Sequence, residues 1–231
     1  SIGIYFGSKK SDATFFITPI KEISELREIS KNSNPPILDS LESHKKLVDL
    51  KKLDDEFQLD IRYASTNNFM RSKFYKNERA FFNMSAADKL IEAKNELKEL
   101  GYGIIIYDAY RPWFVTKMFW EGTPENLKHF VANPENGSSH NKGCAIDIGL
   151  YDIETGESII MISGYDEFTE RAYPNYMGGT KKQRDIRDML IHVMKRNNFT
   201  VYEYEWWHFN YNKCDSGIMN YSFEELDSIS S

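Results

Sequence analysis

The sequence predicts an α+β domain with a mostly antiparallel central sheet flanked by helices. Three observations lead to this fold class. A segment near residue 90 has apolar residues at helical spacing, a β-branched run follows it directly, and a later segment alternates between two faces. Strands and helices therefore interleave irregularly with short connections, as in α+β domains. The chain has 231 residues, 41% of them hydrophobic, which is enough to bury one enzyme-sized core.

The most regular helix pattern begins near Ser85. Ser85 and Asp88 have the spacing of a capping box, and Gly101 is suited to stop a helix. Between them, apolar residues recur at the spacing of one buried helix face: Leu90, Ala93, Leu97 and Leu100. The pattern predicts a helix that ends at Gly101.

The next run, residues 103–108, is apolar and rich in β-branched residues. It predicts a buried strand that carries Asp108 at its end and Arg111 just beyond it. Proline is favoured in the first turn of a helix, so a second helix is expected to begin at Pro112. Its apolar residues are Val115, Met118 and Phe119.

Three further elements are predicted in the second half of the chain. Residues 144–150 alternate, with Ile146 and Ile148 on one face and Asp147 pointing away from them. A third helix is expected from about Thr180 to the Asn197-Asn198 break, with an apolar face of Ile186, Leu190, Val193 and Met194. The aromatic-rich residues 199–211 predict a final strand.

Residues 1–45 differ in character from the rest of the chain. They mix short apolar pieces with Lys, Ser and Asn, and the step Asn34-Pro35-Pro36 forbids a continuing helix. We interpret them as an N-terminal extension or linker and place a catalytic domain at residues 46–231. Because the chain begins at Ser1 rather than Met, we expect that a native N-terminus, such as a signal peptide, has been removed.

Composition argues against two classes of partner. Acidic residues outnumber basic ones by 35 to 29, the formal net charge is −6, and no Lys/Arg-rich block occurs, so nucleic acid is not expected as a partner. The sequence holds no apolar run of the about 18 residues that a membrane span requires. It leaves the oligomeric state open.

The two cysteines, Cys144 and Cys214, are too few for a disulfide scaffold and lack the paired spacing of a zinc-thiolate site. We expect ordinary, partly buried thiols. A single disulfide and a redox-sensitive pair are the alternatives.

Two of the five histidines lie near carboxylates. His140 precedes Asp147 by seven residues, and His208 closes the run Glu205-Trp206-Trp207-His208. A zinc hydrolase needs three N or O ligands, an open position and a further carboxylate that moves protons, and these four residues would supply that set. They could equally be structural residues at a core edge. Residues three apart face opposite sides of a flat strand, so the backbone must turn if Glu205 and His208 address one metal. The other histidines, which we expect to be structural, are His44, His129 and His192.

The sequence resembles the zinc D-alanyl-D-alanine dipeptidases of the VanX type, within the DD-peptidase and Hedgehog-like metallopeptidase superfamily. The resemblance spans roughly residues 47–215, and it is carried by five runs in the family's order: Asp60-Ile61-Arg62-Tyr63-Ala64, Asn67-Asn68-Phe69, Tyr107-Asp108-Ala109-Tyr110-Arg111-Pro112, residues 139–147, and Glu205-Trp206-Trp207-His208-Phe209. Asn141-Lys142 and Ile148-Gly149 depart from the family's usual residues, which puts the exact substrate preference in doubt.

The resemblance implies a role for each candidate residue. His140, Asp147 and His208 would hold one Zn²⁺ ion per chain, Glu205 would act as general base and acid, and Arg111 would stabilise the oxyanion.

Four further residues are candidates, and three of them have two interpretations. Asp108 would orient Arg111 or serve as a capping or solvated carboxylate. Tyr63 and Asp166 match family positions near the substrate, where a carboxylate would pair with the free ammonium of a dipeptide; Asp166 is otherwise an ordinary loop residue. Ser138 would bind the substrate carboxylate or merely form a turn.

The function that follows is zinc-dependent hydrolysis of D-alanyl-D-alanine or a near relative, in cell-wall turnover or D-amino-acid salvage. One alternative is a DD- or LD-carboxypeptidase or a peptidoglycan endopeptidase with the same zinc chemistry and a longer groove. Another is a non-catalytic zinc-containing binding module, which the presence of Glu205 and Arg111 disfavours. A wall-related substrate favours a periplasmic or secreted location over a cytoplasmic one.

Overall fold

The computed structural model describes residues 11–37 and 39–229, in which a five-stranded sheet is the central element. The strands are β1 (Leu47–Asp49), β2 (Gln58–Leu59), β3 (Phe81–Asn83), β4 (Tyr102–Asp108), β5 (Ala145–Asp152), β6 (Phe199–Tyr202) and β7 (Glu205–Tyr211). The α-helices are α1 (Ile23–Lys31), α2 (Leu50–Leu53), α3 (Met84–Glu99), α4 (Trp113–Gly122), α5 (Lys181–Arg196) and α6 (Phe223–Ile229).

The central sheet has the order β2-β4-β5-β7-β6, while β1 and β3 form a separate antiparallel pair. Only the pairing of β2 with β4 is parallel in the central sheet, so the predicted α+β fold with a mostly antiparallel sheet is confirmed. Helix α3 packs against β4 and α5, and α5 packs against β6. Burial of the β-branched side chains on β4 and β5 anchors the middle of the sheet: Ile104, Ile106, Ile146 and Ile148 are fully buried.

Helix α3 forms where the sequence predicts it, but its N-terminal cap is different. The side chain of Asn83 accepts hydrogen bonds from the backbone N–H groups of Ser85 and Ala86, so the predicted cap at Ser85 is wrong. Asparagine and serine are about equally good caps, so residue type alone does not distinguish Asn83 from Ser85. Gly101 adopts a φ of 93° after the last turn, which confirms the predicted stop.

The other two predicted helices are also present. Pro112 is the N-cap residue of α4 and not part of its first turn, because its ψ of 143° is extended. Helix α5 begins after Thr180, which forms a capping box with Gln183, and it buries the four predicted apolar residues.

The predicted single strand over residues 199–211 is wrong, because the structure divides it into β6 and β7. The two strands pair antiparallel across a tight connection at Glu203-Tyr204. This hairpin makes Glu205 the first residue of β7.

The N-terminal part of the described chain packs on the remainder. The backbone N–H of Ile17 donates to the carbonyl of Phe69 and that of Ile20 to the carbonyl of Gly122, both at 2.9 Å. Leu26 of α1 is fully buried against α4. A domain boundary near residue 45 stays a prediction, and residues 1–10 of the predicted extension lie outside the described residues. Within the described chain, no helix has the length and apolar character needed to cross a membrane.

Cys144 and Cys214 form a disulfide, so the expectation of two free thiols is wrong. Their Cα atoms lie 5.8 Å apart although they are separated by 70 residues in sequence. The bond ties the start of β5 to the segment that follows β7, next to the backbone hydrogen bond from Tyr211 N–H to the Cys144 carbonyl. The two strands that carry Asp147 and His208 are therefore also joined covalently.

Removal of this disulfide is expected to destabilise the fold. A link that closes a loop of this length restricts the unfolded chain, so Cys144→Ser/Cys214→Ser should lower the free energy of unfolding by roughly 2–4 kcal/mol. Denaturant unfolding of the wild type, with and without reductant, and of the double variant measures the effect. Reductant should leave the double variant unchanged. Equal stability of oxidised and fully reduced wild type would contradict the prediction.

Candidate active site

Three potential metal ligands meet at the junction of β5, β7 and a short 3₁₀ turn. Asp147 on β5 lies directly opposite His208 on β7, and side chains of such a cross-strand pair lie on the same face of the sheet. His140 comes from the 3₁₀ turn Ser139–Lys142, which Gly143 ends with a left-handed φ of 67°. The structure therefore brings together the three residues that the family resemblance singles out.

The three candidate ligand atoms form a nearly equilateral triangle. His140 Nε2, His208 Nδ1 and Asp147 Oδ1 are each 3.2 Å from the other two. Ligands bound to zinc at about 2.0–2.1 Å with tetrahedral angles would lie about 3.3 Å apart. Two imidazole nitrogens and one carboxylate oxygen are also a suitable donor set, so the residues fit a zinc ion.

Hydrogen bonds fix the orientation of both imidazoles. His140 Nδ1 donates to the carbonyl of Ala109 at 2.7 Å, and His208 Nε2 donates to Oδ1 of Asn210 at 2.8 Å. The nitrogen that remains on each ring then carries the lone pair that faces the triangle. Asn210, which the sequence analysis did not identify, could have been found from its spacing, because residues two apart on a strand share a face.

Asp147 has the electrostatics of an ionised ligand. Burial alone would raise the pKa of this carboxyl, but its charge interactions and hydrogen bonds with the His140 and His208 imidazoles hold the pKa well below its usual range. The remaining oxygen of Asp147 accepts a hydrogen bond from the Tyr165 hydroxyl at 2.6 Å.

Arg111 lies beside this triangle and is held by Asp108. Its Nε and Nη2 are both 2.9 Å from Oδ2 of Asp108, and the Tyr75 hydroxyl donates to the other Asp108 oxygen at 2.7 Å. Burial alone would lower the pKa of Arg111, but the Asp108 carboxylate raises it well above its usual value. Asp108 therefore contacts the guanidinium, as in the first of its two predicted interpretations.

The backbone around Arg111 is locked to the turn that carries His140. The backbone N–H of Arg111 donates to the carbonyl of His140 at 3.0 Å, and the Asn141 side chain donates to the carbonyl of Arg111 at 2.9 Å. Ser138 caps the same turn by accepting from the His140 N–H, and it also lines the cavity described below. Its turn-forming role is thus present, and a role toward substrate stays a prediction.

Glu205 and His208 line the same cavity because the register of β7 is irregular between them. Tyr202 lies opposite Glu205, while the preceding residue, Val201, lies opposite Phe209, so the pairing skips residues 206–208. Such a bulge changes the side of the strand on which the next residue points. The predicted departure from a flat strand between Glu205 and His208 is thereby confirmed.

Glu205 is buried, with 7% of its surface exposed. Burial, together with the nearby carboxylates of Asp147 and Asp166, raises the pKa of Glu205 well above its usual value. A carboxyl group with a raised pKa can hold a proton near neutral pH, as a general acid and base must. The two carboxyl groups therefore differ in character. Asp147 favours the ionised form, whereas Glu205 is more readily protonated.

Asp166 and Tyr63 lie at another wall of the cavity. The Tyr63 hydroxyl donates to the Asp166 carboxylate, and both side chains are buried. Burial and the negative charge of Asp147 raise the pKa of Asp166 to about 8. Its φ of 55° lies in the left-handed region, which Asp adopts more readily than most residues. A positive group beside Asp166 would favour the ionised form.

These side chains surround one cavity of about 210 Å³. That volume is below the roughly 300–1,000 Å³ of sites for drug-sized ligands, so it suits a small substrate. The remaining wall is largely aromatic and includes Phe69, Phe119, Phe130, Phe168 and Tyr202. The sequence analysis did not single out these aromatic residues or Tyr165 as site residues, because no spacing distinguishes them from core residues.

Comparison with known proteins gives a consistent result. Residues 43–227 match the peptidase M15 family, described as D-ala-D-ala dipeptidase. The D-alanyl-D-alanine dipeptidase of Escherichia coli is 30% identical over 71% of this chain and 83% of its own length, and that of Enterococcus faecium is 31% identical over 65% and 83%. The solved structure of the LdcB LD-carboxypeptidase is 21% identical with a TM-score of 0.37, over 58% of this chain and 61% of that one. The extent of the family match and the identity to these dipeptidases place the chain in the peptidase M15 family of D-ala-D-ala dipeptidases.

Proposed function

We propose that this metallopeptidase hydrolyses D-alanyl-D-alanine or a closely related dipeptide with one zinc ion held by His140, Asp147 and His208. Family membership supports the reaction and the substrate class. The observation that carries the metal assignment is the 3.2 Å triangle of two imidazole nitrogens and one carboxylate oxygen. This is the donor set of catalytic zinc sites that keep one position open.

When bound, a zinc ion held by these residues would lower the pKa of a water molecule to about 7 and would polarise the scissile carbonyl. Glu205, which lines the cavity beside these ligands, is suited to accept a proton from the attacking water and to donate one to the leaving amine. The Arg111 guanidinium, held by Asp108, donates hydrogen bonds to the oxygen that becomes negative in the transition state.

The substrate is proposed to lie along the cavity with its ammonium at Asp166. A buried ammonium needs a paired anion, and Asp166 is a buried carboxylate aligned by the Tyr63 hydroxyl. Ser138, at the wall beside His140, is suited to bind the carboxylate end of the dipeptide.

Two alternative functions are less well supported. A carboxypeptidase or endopeptidase acting on peptidoglycan needs a longer groove, whereas this cavity is about 210 Å³ and is lined by the carboxylate of Asp166. A non-catalytic zinc module needs neither a proton-transfer group nor an oxyanion donor, yet Glu205 and Arg111 both line the cavity.

A periplasmic or secreted location is proposed over a cytoplasmic one. The support is the disulfide between Cys144 and Cys214, because structural disulfides persist mainly in oxidising compartments. In such a compartment the enzyme would act in cell-wall turnover or D-amino-acid salvage. Its partner would be a small D-amino-acid dipeptide, and nucleic acid is not expected as a partner.

Metal removal should abolish hydrolysis of D-alanyl-D-alanine, and one equivalent of zinc per chain should restore it, because the nucleophile depends on the metal. Asp147→Asn and His208→Ala should lower zinc content measured after gel filtration. His192→Ala, at an exposed position of α5, is the matched control and should retain the metal. Full activity of metal-free protein would contradict the mechanism.

Glu205→Gln should retain zinc but lower kcat by at least roughly 10²-fold, because the amide cannot accept the proton from water. Steady-state kinetics and metal analysis of the same preparation measure both quantities. Glu203→Gln changes an exposed residue two positions away and should behave like the wild type. Loss of zinc from the Glu205 variant would make Glu205 a ligand instead.

A further prediction concerns substrate length. N-acetyl-D-Ala-D-Ala lacks the ammonium and leaves Asp166 unpaired, so its kcat/KM should be roughly 10²-fold lower than that of the free dipeptide, equivalent to about 3 kcal/mol. Asp166→Asn should reduce this ratio, whereas Asp185→Asn, at an exposed position on α5, should preserve it. Equal cleavage of both peptides by the wild type would favour the carboxypeptidase function.

A further inference from the structure

The hydroxyl of Tyr165 is hydrogen-bonded to the candidate ligand Asp147. It donates to Asp147 Oδ2 at 2.6 Å, a short distance that is typical of a hydroxyl bound to an ionised carboxylate. The other oxygen, Oδ1, is the atom that lies 3.2 Å from both His140 Nε2 and His208 Nδ1. The two oxygens of Asp147 therefore have separate partners.

The Tyr165 ring is fixed from several sides. It stacks on Tyr107 with ring centroids 4.6 Å apart and meets the edge of Trp207 at 5.4 Å. The Arg62 guanidinium lies 5.7 Å from the ring centroid, and only 5% of Tyr165 is exposed. A phenol held in this way can direct its hydroxyl at one point with little loss of side-chain entropy on bonding.

We propose that Tyr165 is a positioning residue that holds Asp147 as a one-oxygen ligand of the metal. The proposal rests on the proposed function in its assignment of Asp147 as a ligand. By binding Oδ2, the hydroxyl stops the carboxylate from rotating and keeps Oδ1 directed at the two histidines. Groups that hydrogen-bond metal ligands in this way typically change metal affinity by about 10–100-fold when they are removed.

The neighbouring cation does not replace this contact. Nη2 of Arg111 is 3.9 Å from Asp147 Oδ2, which is too far for a hydrogen bond, and Arg111 is bound instead to Asp108. Among the described residues, the Tyr165 hydroxyl is therefore the hydrogen-bond donor to Oδ2 of Asp147.

Tyr165 directly precedes Asp166 in the chain. One backbone segment therefore carries both the hydroxyl that contacts Asp147 and the carboxylate proposed to bind the substrate ammonium. The Tyr165 hydroxyl is 3.2 Å from that of Tyr63, which in turn donates to Asp166. The left-handed backbone at Asp166 turns its side chain toward the substrate region while Tyr165 reaches Asp147. The distance between the metal and the proposed ammonium site is thereby set by two consecutive residues.

Tyr165→Phe tests the inference, because it removes the hydroxyl and retains the stacked ring. The zinc dissociation constant, measured by competition with a chromophoric chelator, should increase by about 10–100-fold. At saturating zinc, kcat should fall while the kcat/KM ratio of free to acetylated dipeptide stays within about twofold of wild type, because Asp166 is retained. Tyr107→Phe removes the hydroxyl from the adjacent stacked ring and should leave zinc affinity and kcat unchanged.

The outcomes separate this inference from the proposed function. If Asp147→Asn loses zinc but Tyr165→Phe binds it as tightly as the wild type, Tyr165 is not a positioning residue and the metal assignment stands. If Asp147→Asn binds zinc normally, the proposed function itself fails. A purely structural role for the hydroxyl would lower the Tm of the metal-free protein without changing zinc affinity. Tyr165→Met, which removes the ring as well as the hydroxyl, is the second variant for the zinc comparison should the Phe variant not fold.

Discussion

The pairing of β5 with β7 is the constraint on which the candidate active site depends. It places Asp147 directly opposite His208, with Ile146 opposite Phe209 beside them. Ile146, Ile148 and Phe209 are fully buried, so a one-residue slip in register would move these side chains out of the core and Asp147 into it. The hydrophobic free energy of the core thus fixes the relative position of two candidate metal ligands, and the disulfide at Cys144 reinforces the same pair of strands.

Tyrosine hydroxyls contact the buried carboxyl groups that line the cavity. Three buried carboxylates, on Asp147, Asp166 and Glu205, line the cavity, against the single guanidinium of Arg111 among the described lining residues. The ionised form of a buried carboxyl group is costly unless it is paired or hydrogen-bonded, and the pKa values of Asp166 and Glu205 are raised accordingly. Tyrosine hydroxyls supply part of the compensation, because Tyr165 donates to Asp147 and Tyr63 to Asp166. A divalent cation at the His140 triangle and a substrate ammonium would supply the remaining positive charge.

The parts of the structure that the sequence predicted correctly depend on local signals. Helix α5, for example, has its capping residue Thr180 and its apolar stripe within one short segment. The β6–β7 hairpin was missed because its connection, Glu203-Tyr204, contains none of the Gly, Pro, Asn or Asp residues that usually mark turns. The disulfide was missed because its partners are 70 residues apart, and their proximity follows from strand pairing alone.

The grouping of the candidate site residues came from family resemblance and not from spacing, since Arg111, His140 and His208 lie in three different connections or strands. Residues that act through other residues had no such signal. Tyr165 is one aromatic residue among many, and its contact with a candidate ligand appears only when β5 brings Asp147 within 2.6 Å of its hydroxyl. Sequence patterns report what a residue does within its own element, whereas these contacts are created by the packing of elements against one another.

The segment that carries Tyr165 and Asp166 is packed against the N-terminal part of the described chain. The candidate ligands Asp147 and His208 lie on the central sheet, whereas this segment contacts residues that precede the family match at position 43. A Cβ at Gly164 would collide with Thr14, and the Phe15 ring lies 5.5 Å from that of Phe168, which lines the cavity. Changes in this N-terminal segment would therefore act on the cavity wall around Asp166 and Phe168, while the β5–β7 pairing that positions the candidate ligands Asp147 and His208 would be retained.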